Sequence, residues 1–195
     1  MLEYIYPMET KTIFFLGKPG SGKGTQAKRL AARTGWPMFG SGDQFRSIAK
    51  EDTPAGRKTR LEIDQGLLSP PWFVEYLYLK IALSHPERES VIFDGFNRKV
   101  EEAELLFAAS EYLERPFTVI NIAISDEEVH RRLDTRKEDS GRADDHCVDV
   151  RLAEYEKYTK AALALFKERG VTIDVDGEQS QDAVEADIAR ILGLA

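Results

Sequence analysis

The stretch "GKPGSGKGTQ", residues 17–26, follows directly on the apolar run "TIFFL", residues 12–16. Gly17, Gly22 and Lys23 have the G-x-x-x-x-G-K spacing of a phosphate-binding loop, in the strand–loop–helix context that such a loop requires. Glycines let consecutive backbone N–H groups turn toward an anion, and the N-terminus of the following helix faces the same anion. We therefore predict a phosphate site here, with Lys23 on the outer phosphates.

Apolar runs alternate with stretches of helical periodicity along the chain. Five runs are interpreted as strands, at residues 11–16, 36–39, 91–94, 117–124 and 171–175. Continuous apolar strands separated by helices indicate a parallel sheet covered on both faces, so the predicted fold class is α/β. Two segments fall outside this alternation and are interpreted as insertions: residues 40–72, with two polar helical pieces, and the polar residues 137–146.

The composition narrows the classes of function. The 195 residues suffice for one domain with a full core, and the net charge of −7 argues against broad nucleic-acid or anionic-membrane binding. Cys147 is the one cysteine in the sequence, which excludes an intrachain disulfide. The N-terminus does not resemble a signal peptide and no apolar segment is long enough to span a membrane, so a cytoplasmic location is expected.

Asp94 closes the apolar run "VIFD", residues 91–94. A carboxylate at the end of a buried strand, beside a phosphate-binding loop, is the pattern expected for holding Mg²⁺ directly or through water. A helix cap is the alternative role for such a residue. Together with the glycine loop, Asp94 favours a triphosphate bound with a metal ion.

Four blocks of the sequence together resemble the nucleoside monophosphate kinase family, above all adenylate kinase. "GKPGSGKGTQ" is similar to the family's G-x-P-G-x-G-K-G-T-Q loop, and "GSGDQFR" (40–46) is similar to its S-T-G-D-x-L-R block. "DGFNRKVEEAE" (94–104) resembles D-G-F-P-R-T-x-x-Q-A-E, and "RLDTRKEDSGRADD" (132–145) resembles the R-x-x-x-R…G-R-x-D-D lid. The resemblance covers about residues 11–178.

This resemblance implies a three-layer P-loop kinase fold with a five-stranded parallel sheet. The chain would form one domain over residues 1–195, with a helical monophosphate-binding insertion at about 40–72 and a short lid at about 137–146. The implied reaction is reversible, ATP- and Mg²⁺-dependent phosphoryl transfer to a nucleoside monophosphate, directly and in line. The expected partners are small-molecule nucleotides, without nucleic acid or membrane, and the chain is expected to be a monomer.

The resemblance also implies roles for individual residues. The catalytic residues would be Lys23, Arg98, Arg132, Arg136, Arg142 and Arg151. ATP would be bound by Gly20, Ser21, Gly22, Lys23, Gly24, Thr25, Arg132 and Arg136. The monophosphate would be bound by Ser41, Arg46, Gly95, Arg98, Glu102, Arg142 and Arg151. Asp94 would hold Mg²⁺ through water.

Arg151 departs from the family pattern, because it follows Asp145 about two residues sooner than is usual. Either the junction after the lid is shortened, or Arg151 reaches the phosphates from a shifted angle.

Two residues of these blocks bear on which monophosphate is the acceptor. Ser41 keeps a hydroxyl that favours AMP, whereas Glu102 replaces the family's glutamine. An ionised carboxylate only accepts hydrogen bonds, so it cannot donate to adenine N1 and would suit guanine better. AMP is the expected acceptor, with CMP, UMP and GMP as alternatives. A low-turnover ATP-binding switch is the alternative from another class, but such a module would not need the lid arginines.

Overall fold

The computed structural model describes residues 11–140 and 147–194, with side chains described at 11–135 and 147–194. The strands in these residues are β1 (Thr12–Gly17), β2 (Met38–Gly40), β3 (Val91–Asp94), β4 (Phe117–Ala123) and β5 (Thr172–Asp176). The helices are α1 (Lys23–Thr34), α2 (Ser41–Ile48), α3 (Pro54–Asp64), α4 (Pro71–Ala82), α5 (Val100–Tyr112), α6 (Asp126–Ser140), α7 (Val148–Glu154), α8 (Lys160–Glu168) and α9 (Gln181–Ile191).

The five strands form one parallel sheet in the order β2-β3-β1-β4-β5. In the central strand, Phe14 lies beside Phe93 of β3 and Val119 of β4. The predicted α/β class and the five-stranded parallel sheet are confirmed. The second strand was predicted at residues 36–39, so its predicted start is two residues too early and its predicted end is one residue too early. Because Pro37 has no N–H, it contributes only its carbonyl, to Ile92 N, and the strand begins at Met38.

Alternate residues of β1 face opposite layers of helices. Phe14 and Leu16 belong to a buried cluster with side chains of α4, α5 and α8. Ile13 and Phe15 belong to a second cluster with side chains of α1 and α9. Burying both faces explains why β1 is a continuous apolar run, and it leaves the ends of the strands as the place where loops build a site.

Two helical segments differ in detail from the sequence interpretation. Helix α6 continues through Ser140, so residues 137–140 of the predicted lid have helical backbone. The segment after Cys147 departs from regular α-helical periodicity, because a π-helical turn, Tyr155–Thr159, separates α7 from α8. Such turns carry one extra residue and redirect the side chains around them. Here the turn brings Tyr155 and Thr159 to the wall of a large cavity.

Candidate functional site

A cavity of about 760 Å³ opens at the carboxyl ends of the strands. Residues that end or directly follow four of the strands line it: Gly17, Gly40, Asp94 and Gly177. In open parallel sheets this edge is where ligands bind, because the loops that leave the strands converge there. Two sides of the cavity can be distinguished, one built on the loop after β1 and the other on the segments between β2 and α5.

The phosphate-binding loop, residues 17–24, is held in a tight turn on the first side. A Cβ at Gly17, where φ is 144°, would lie 2.5 Å from the carbonyl oxygen of Ile122 and 2.8 Å from Ser21 Oγ. Only glycine therefore allows the loop to pass so close to β4. Lys23 begins α1, and its Nζ donates to the Lys18 carbonyl at 3.2 Å.

The residues predicted to bind ATP meet at this loop. Those with described side chains all line the cavity: Gly20, Ser21, Gly22, Lys23, Gly24, Thr25 and Arg132. Ser21 Oγ is buried and has no hydrogen-bond partner in the described part of the chain. A buried hydroxyl without a partner is costly unless a ligand supplies one, so this loop is arranged for an anion.

Arg132 connects the phosphate-binding loop to the loop after β5. Its NH1 donates to the Ser21 carbonyl at 3.3 Å and its NH2 donates to the Gly177 carbonyl at 2.7 Å. Its Nε donates to Glu128 at 2.5 Å. Hydrogen bonds from Arg131 and Arg132 lower the pKa of Glu128 to about 2, so this anchor stays ionised at neutral pH.

Asp94 lies beside the first turn of α1. A Cβ at Gly24 would lie 3.0 Å from Asp94 Oδ2, so glycine leaves room for the carboxylate there. The other oxygen, Oδ1, is buried and has no hydrogen-bond partner among residues with described side chains. A buried carboxylate oxygen of this kind is suited to a hard cation or its bound water, so Asp94 fits Mg²⁺.

A metal ion here would need ligands from outside the protein. No group of three or more His, Cys, Asp or Glu side chains that could hold a metal occurs in the described residues. Phosphate oxygens and water would therefore complete the shell, as is usual for Mg²⁺ in nucleotide sites.

Ser41, Gly95 and Arg98 form the near wall of the second side. Ser41 Oγ and Arg98 Nε each donate to the Gly95 carbonyl at 2.7 Å. A Cβ at Gly95 would lie 2.2 Å from Arg98 NH2, so glycine is needed for the guanidinium to fold across the turn. Arg46 donates to Asp43 at 2.6 Å and also lines the cavity. Arg46 and Arg98 thus both bring a guanidinium group to this side.

Glu102 is almost fully buried in the first turn of α5, with 2% of its surface exposed, and it lines the cavity. Its Oε2 accepts the backbone N–H of Arg98 at 2.7 Å and that of Lys99 at 3.4 Å. Burial raises the pKa of Glu102 to about 7, although these hydrogen bonds and the charges of Lys99 and Arg98 act in the opposite direction. The carboxyl is therefore divided between its neutral and ionised forms near neutral pH.

Two contacts of the second side were not anticipated from the sequence. The buried Lys99 donates through Nζ to the Ser69 carbonyl at 2.9 Å and lies over the ring of Tyr158. Glu154 of α7 accepts the backbone N–H of Leu68 at 3.0 Å. These bonds fix the loop between α3 and α4. Their partners lie far apart in the sequence, so no local pattern predicts them.

The loop between β5 and α9 is a further part of the site that the motifs did not indicate. Gly177, Gln179, Ser180 and Gln181 line the cavity, and Gln26 of α1 donates to the Gln181 carbonyl at 2.8 Å. The position of this loop could have indicated its role, because it follows the carboxyl end of the last parallel strand, where ligands bind in such sheets.

Not every predicted residue can be placed. Arg151, on α7, lines the cavity, and its Cγ would lie 3.2 Å from a Cβ at Gly66, so its stem crosses the end of α3. The Arg136 side chain and Arg142 lie outside the described residues. No helix in the described ranges is both long and apolar enough to cross a bilayer.

A model of the adenylate kinase family matches residues 15–171 of the chain. The chain is 37% identical to the adenylate kinase of Thermus thermophilus over 187 aligned residues. The alignment covers 94% of this chain and 98% of that protein. The adenylate kinases of Phocaeicola vulgatus and Maricaulis maris are 34% and 35% identical to it, over 90% and 92% of this chain and 95% and 97% of those proteins. These similarities extend over nearly the full length of each protein compared.

Proposed function

The chain belongs to the adenylate kinase family, and we propose on that premise that it transfers the terminal phosphoryl group of ATP to AMP, reversibly, to give two ADP. One observation carries this function in the structure. The phosphate-binding loop and the arginine pair Arg46 and Arg98 line the same cavity, so two phosphorylated ligands can meet within it.

On the donor side, the loop amides and the N-terminus of α1 bind the phosphates of ATP. Lys23 adds a compact charge at the outer phosphates, and Arg132 orients the loop through its bonds to Ser21 and Gly177. Gly20, Ser21, Gly22, Gly24 and Thr25 complete this set. The unpartnered Ser21 hydroxyl supports the assignment, because a phosphate oxygen would satisfy it.

On the acceptor side, Arg46 and Arg98 hold the phosphate of AMP with their planar, permanently charged groups. Ser41 and Gly95 position Arg98 by the two bonds to the Gly95 carbonyl. The acceptor oxygen is thereby held in line with the donor phosphate. Positioning and charge stabilisation supply most of the catalysis of phosphoryl transfer, so no protein nucleophile is required.

Asp94 would hold the Mg²⁺ of Mg²⁺–ATP, directly or through water. When bound, the ion neutralises phosphate charge as the phosphoryl group moves. The protein would contribute the buried Asp94 Oδ1, beside the start of α1, to holding the ion or its bound water.

Arg136, Arg142 and Arg151 are proposed to add positive charge when the short lid, about residues 137–146, covers the substrates. Exclusion of water would then limit wasteful hydrolysis of ATP. Arg151 supports this arrangement, because it lines the cavity close to Gly66 on the acceptor side. The proposed active unit is a monomer, since the acceptor and donor sides both come from one chain.

Product stoichiometry tests this function. Incubation with ATP, Mg²⁺ and AMP is expected to yield two ADP for each AMP consumed, and incubation with ADP and Mg²⁺ is expected to yield ATP and AMP. Release of inorganic phosphate from ATP at the same rate with and without AMP would contradict a transferase.

A further inference from the structure

Glu102 lies on a side of the cavity that differs in character from the phosphate sites. Apolar side chains of α3, the following loop and α4 line the cavity: Ile63, Leu68 and Val74. The bond from Lys99 Nζ to the Ser69 carbonyl connects this loop to the start of α5, next to Glu102. Flat apolar walls suit the faces of a nucleobase, and a polar group among them is positioned to bind the edge of the base. Glu102 is the carboxyl group that α5 contributes to this wall.

The hydrogen bonds of Glu102 leave one oxygen for a ligand. Both backbone N–H groups donate to Oε2, and Arg98 and Lys99, which supply them, also carry the positive charges next to it in sequence. Oε1 accepts neither of them. A proton on the carboxyl is therefore placed on Oε1. The 3.4 Å contact from Lys99 N–H is long for a hydrogen bond, so the second lone pair of Oε2 can still accept from a ligand.

Charged groups of α2, α3 and α7 also lie at or beside the cavity wall. Arg46 of α2 is paired with Asp43, and Glu62 of α3 accepts the Ser69 hydroxyl at 3.0 Å. Arg151 and Glu154 line the cavity from α7. Burial outweighs the backbone hydrogen bonds and the charges of Lys99 and Arg98, and leaves the pKa of Glu102 at about 7.

The edge of adenine needs both a donor and an acceptor. Its N1 is an acceptor, and the adjacent amino group is a donor. A neutral carboxyl matches both, with Oε1–H donating to N1 and Oε2 accepting from the amino group. An ionised carboxylate instead directs a lone pair at N1 and leaves it without a donor, which is unfavourable in a buried site.

We propose that Glu102 recognises the adenine of AMP with its carboxyl protonated, so that each AMP bound takes up a proton from solvent at Oε1 and returns it on release. This inference rests on the proposed function, because it takes AMP as the acceptor. It makes Glu102 a specificity-determining residue whose preference for adenine depends on pH, whereas a glutamine there would have a permanent donor.

The expected size of the effect follows from the fraction of protein in the competent form. With a pKa of about 7, roughly nine tenths of the carboxyl is neutral at pH 6 and one tenth at pH 8, so the KM for AMP rises about tenfold over this interval. Glu102→Gln keeps the size and the acceptor of the side chain, and supplies an N–H that does not titrate. AMP loses its own phosphate proton in both proteins, so the ratio of the two KM values isolates Glu102.

Calorimetric titration of AMP, without ATP, in two buffers of different ionisation enthalpy measures the proton directly. At pH 8 we expect uptake of close to one proton per AMP beyond that of Glu102→Gln. The analogue 1-deaza-AMP, which has C–H in place of N1, is expected to bind the natural chain without this uptake. The wild-type measurement and the analogue make the test independent of the variant.

Equal proton uptake by the two proteins, with parallel pH profiles of KM, would overturn the inference while leaving the AMP kinase activity intact. Failure of AMP to bind at all would overturn both this inference and the proposed function. Uptake that persists with 1-deaza-AMP would also overturn it, because the proton would then not be shared with N1.

Discussion

Lys23 concentrates positive charge at the first residue of α1, where the helix N-terminus already favours an anion. Its Nζ is anchored on the Lys18 carbonyl, so the charge is positioned before a nucleotide arrives. Lys23→Met removes the charge and keeps the aliphatic stem. We expect kcat for ADP formation to fall at least about 100-fold, as when one group that stabilises transition-state charge is lost.

Lys80→Met, at an exposed position of α4, is the matched control for this change. Its turnover and its melting temperature are expected to equal those of the natural chain. Near-normal turnover of Lys23→Met would exclude the assigned role of the loop.

The titration of Glu102 also has a consequence for stability. Its folded pKa of about 7 lies above the ordinary value of 4.5, so the folded state binds this proton more tightly than the unfolded state does. The resulting stabilisation is complete below pH 4.5 and is lost as pH rises through 7. Between pH 5 and pH 8, the free energy of unfolding should fall by about 2 kcal/mol more in the natural chain than in Glu102→Gln.

Urea unfolding at both pH values measures this difference, with Glu104→Gln as the control, because Glu104 is exposed on the same helix. Equal losses of stability in the natural chain and Glu102→Gln would show that burial does not shift this carboxyl.

At the residue scale, the types of side chain at this site are easier to predict from the sequence than the contacts that these side chains make. The motif spacing was sufficient to single out Glu102 as a departure from the family glutamine. It could not indicate that the Lys99 ammonium would reach the Ser69 carbonyl, thirty positions away in the chain. That contact depends on how the loop before α4 packs against α5, which no local pattern encodes.

At the scale of elements, Arg132 joins α6, the phosphate-binding loop and the loop after β5. Arg132→Ala removes both loop contacts. Hydrogen bonds from a charged group contribute about 1.5–3 kcal/mol each, so the KM for ATP should rise at least about tenfold. Arg131→Ala is the matched control, because Arg131 pairs with Glu128 but makes neither loop contact. A similar effect of both variants would mean that the ion pair with Glu128, and not the connection of the loops, is what matters.

The junction of β3 and α1 gives another prediction at this scale. Asp94→Asn removes the charge beside Gly24, and half-maximal velocity should then require at least about tenfold more free Mg²⁺, since a neutral amide holds the ion and its water less well. Velocity is measured as free Mg²⁺ is varied at fixed ATP, with Asp187→Asn on α9 as the control. An unchanged Mg²⁺ requirement would argue against a metal role for Asp94.

The elements themselves were largely predictable. The run "VIFD" corresponds to β3 without adjustment, because a buried parallel strand is apolar on both faces. The π-helical turn at Tyr155–Thr159 was not predicted, since its residues fit ordinary helical periodicity and the extra residue depends on packing against the rest of the fold.

At the scale of the whole molecule, a chain of net charge −7 binds two anionic substrates by concentrating its cations around one cavity. The alternation of apolar runs and helical stretches predicted that the sheet is parallel, and the motifs singled out Lys23, Arg46, Arg98 and Arg132, which line the cavity. They did not predict the strand order β2-β3-β1-β4-β5, which depends on how each crossover packs. Because that order places β3 next to β1, Asp94 reaches the phosphate-binding loop.

Comparing the four monophosphates as acceptors is the strongest test of the proposed function. ADP formation from ATP and Mg²⁺ would be followed at pH 6.5 with AMP, CMP, UMP or GMP as the acceptor, beside a control without acceptor. We expect kcat/KM for AMP to exceed that for UMP and GMP at least about 100-fold, the loss expected when the buried groups that bind the adenine edge are left unpaired. CMP is expected to be the next-best acceptor, because its base repeats the acceptor and amino donor of adenine but is smaller and fills less of the site. Preference for CMP, UMP or GMP, or no transfer to any of the four, would contradict the account.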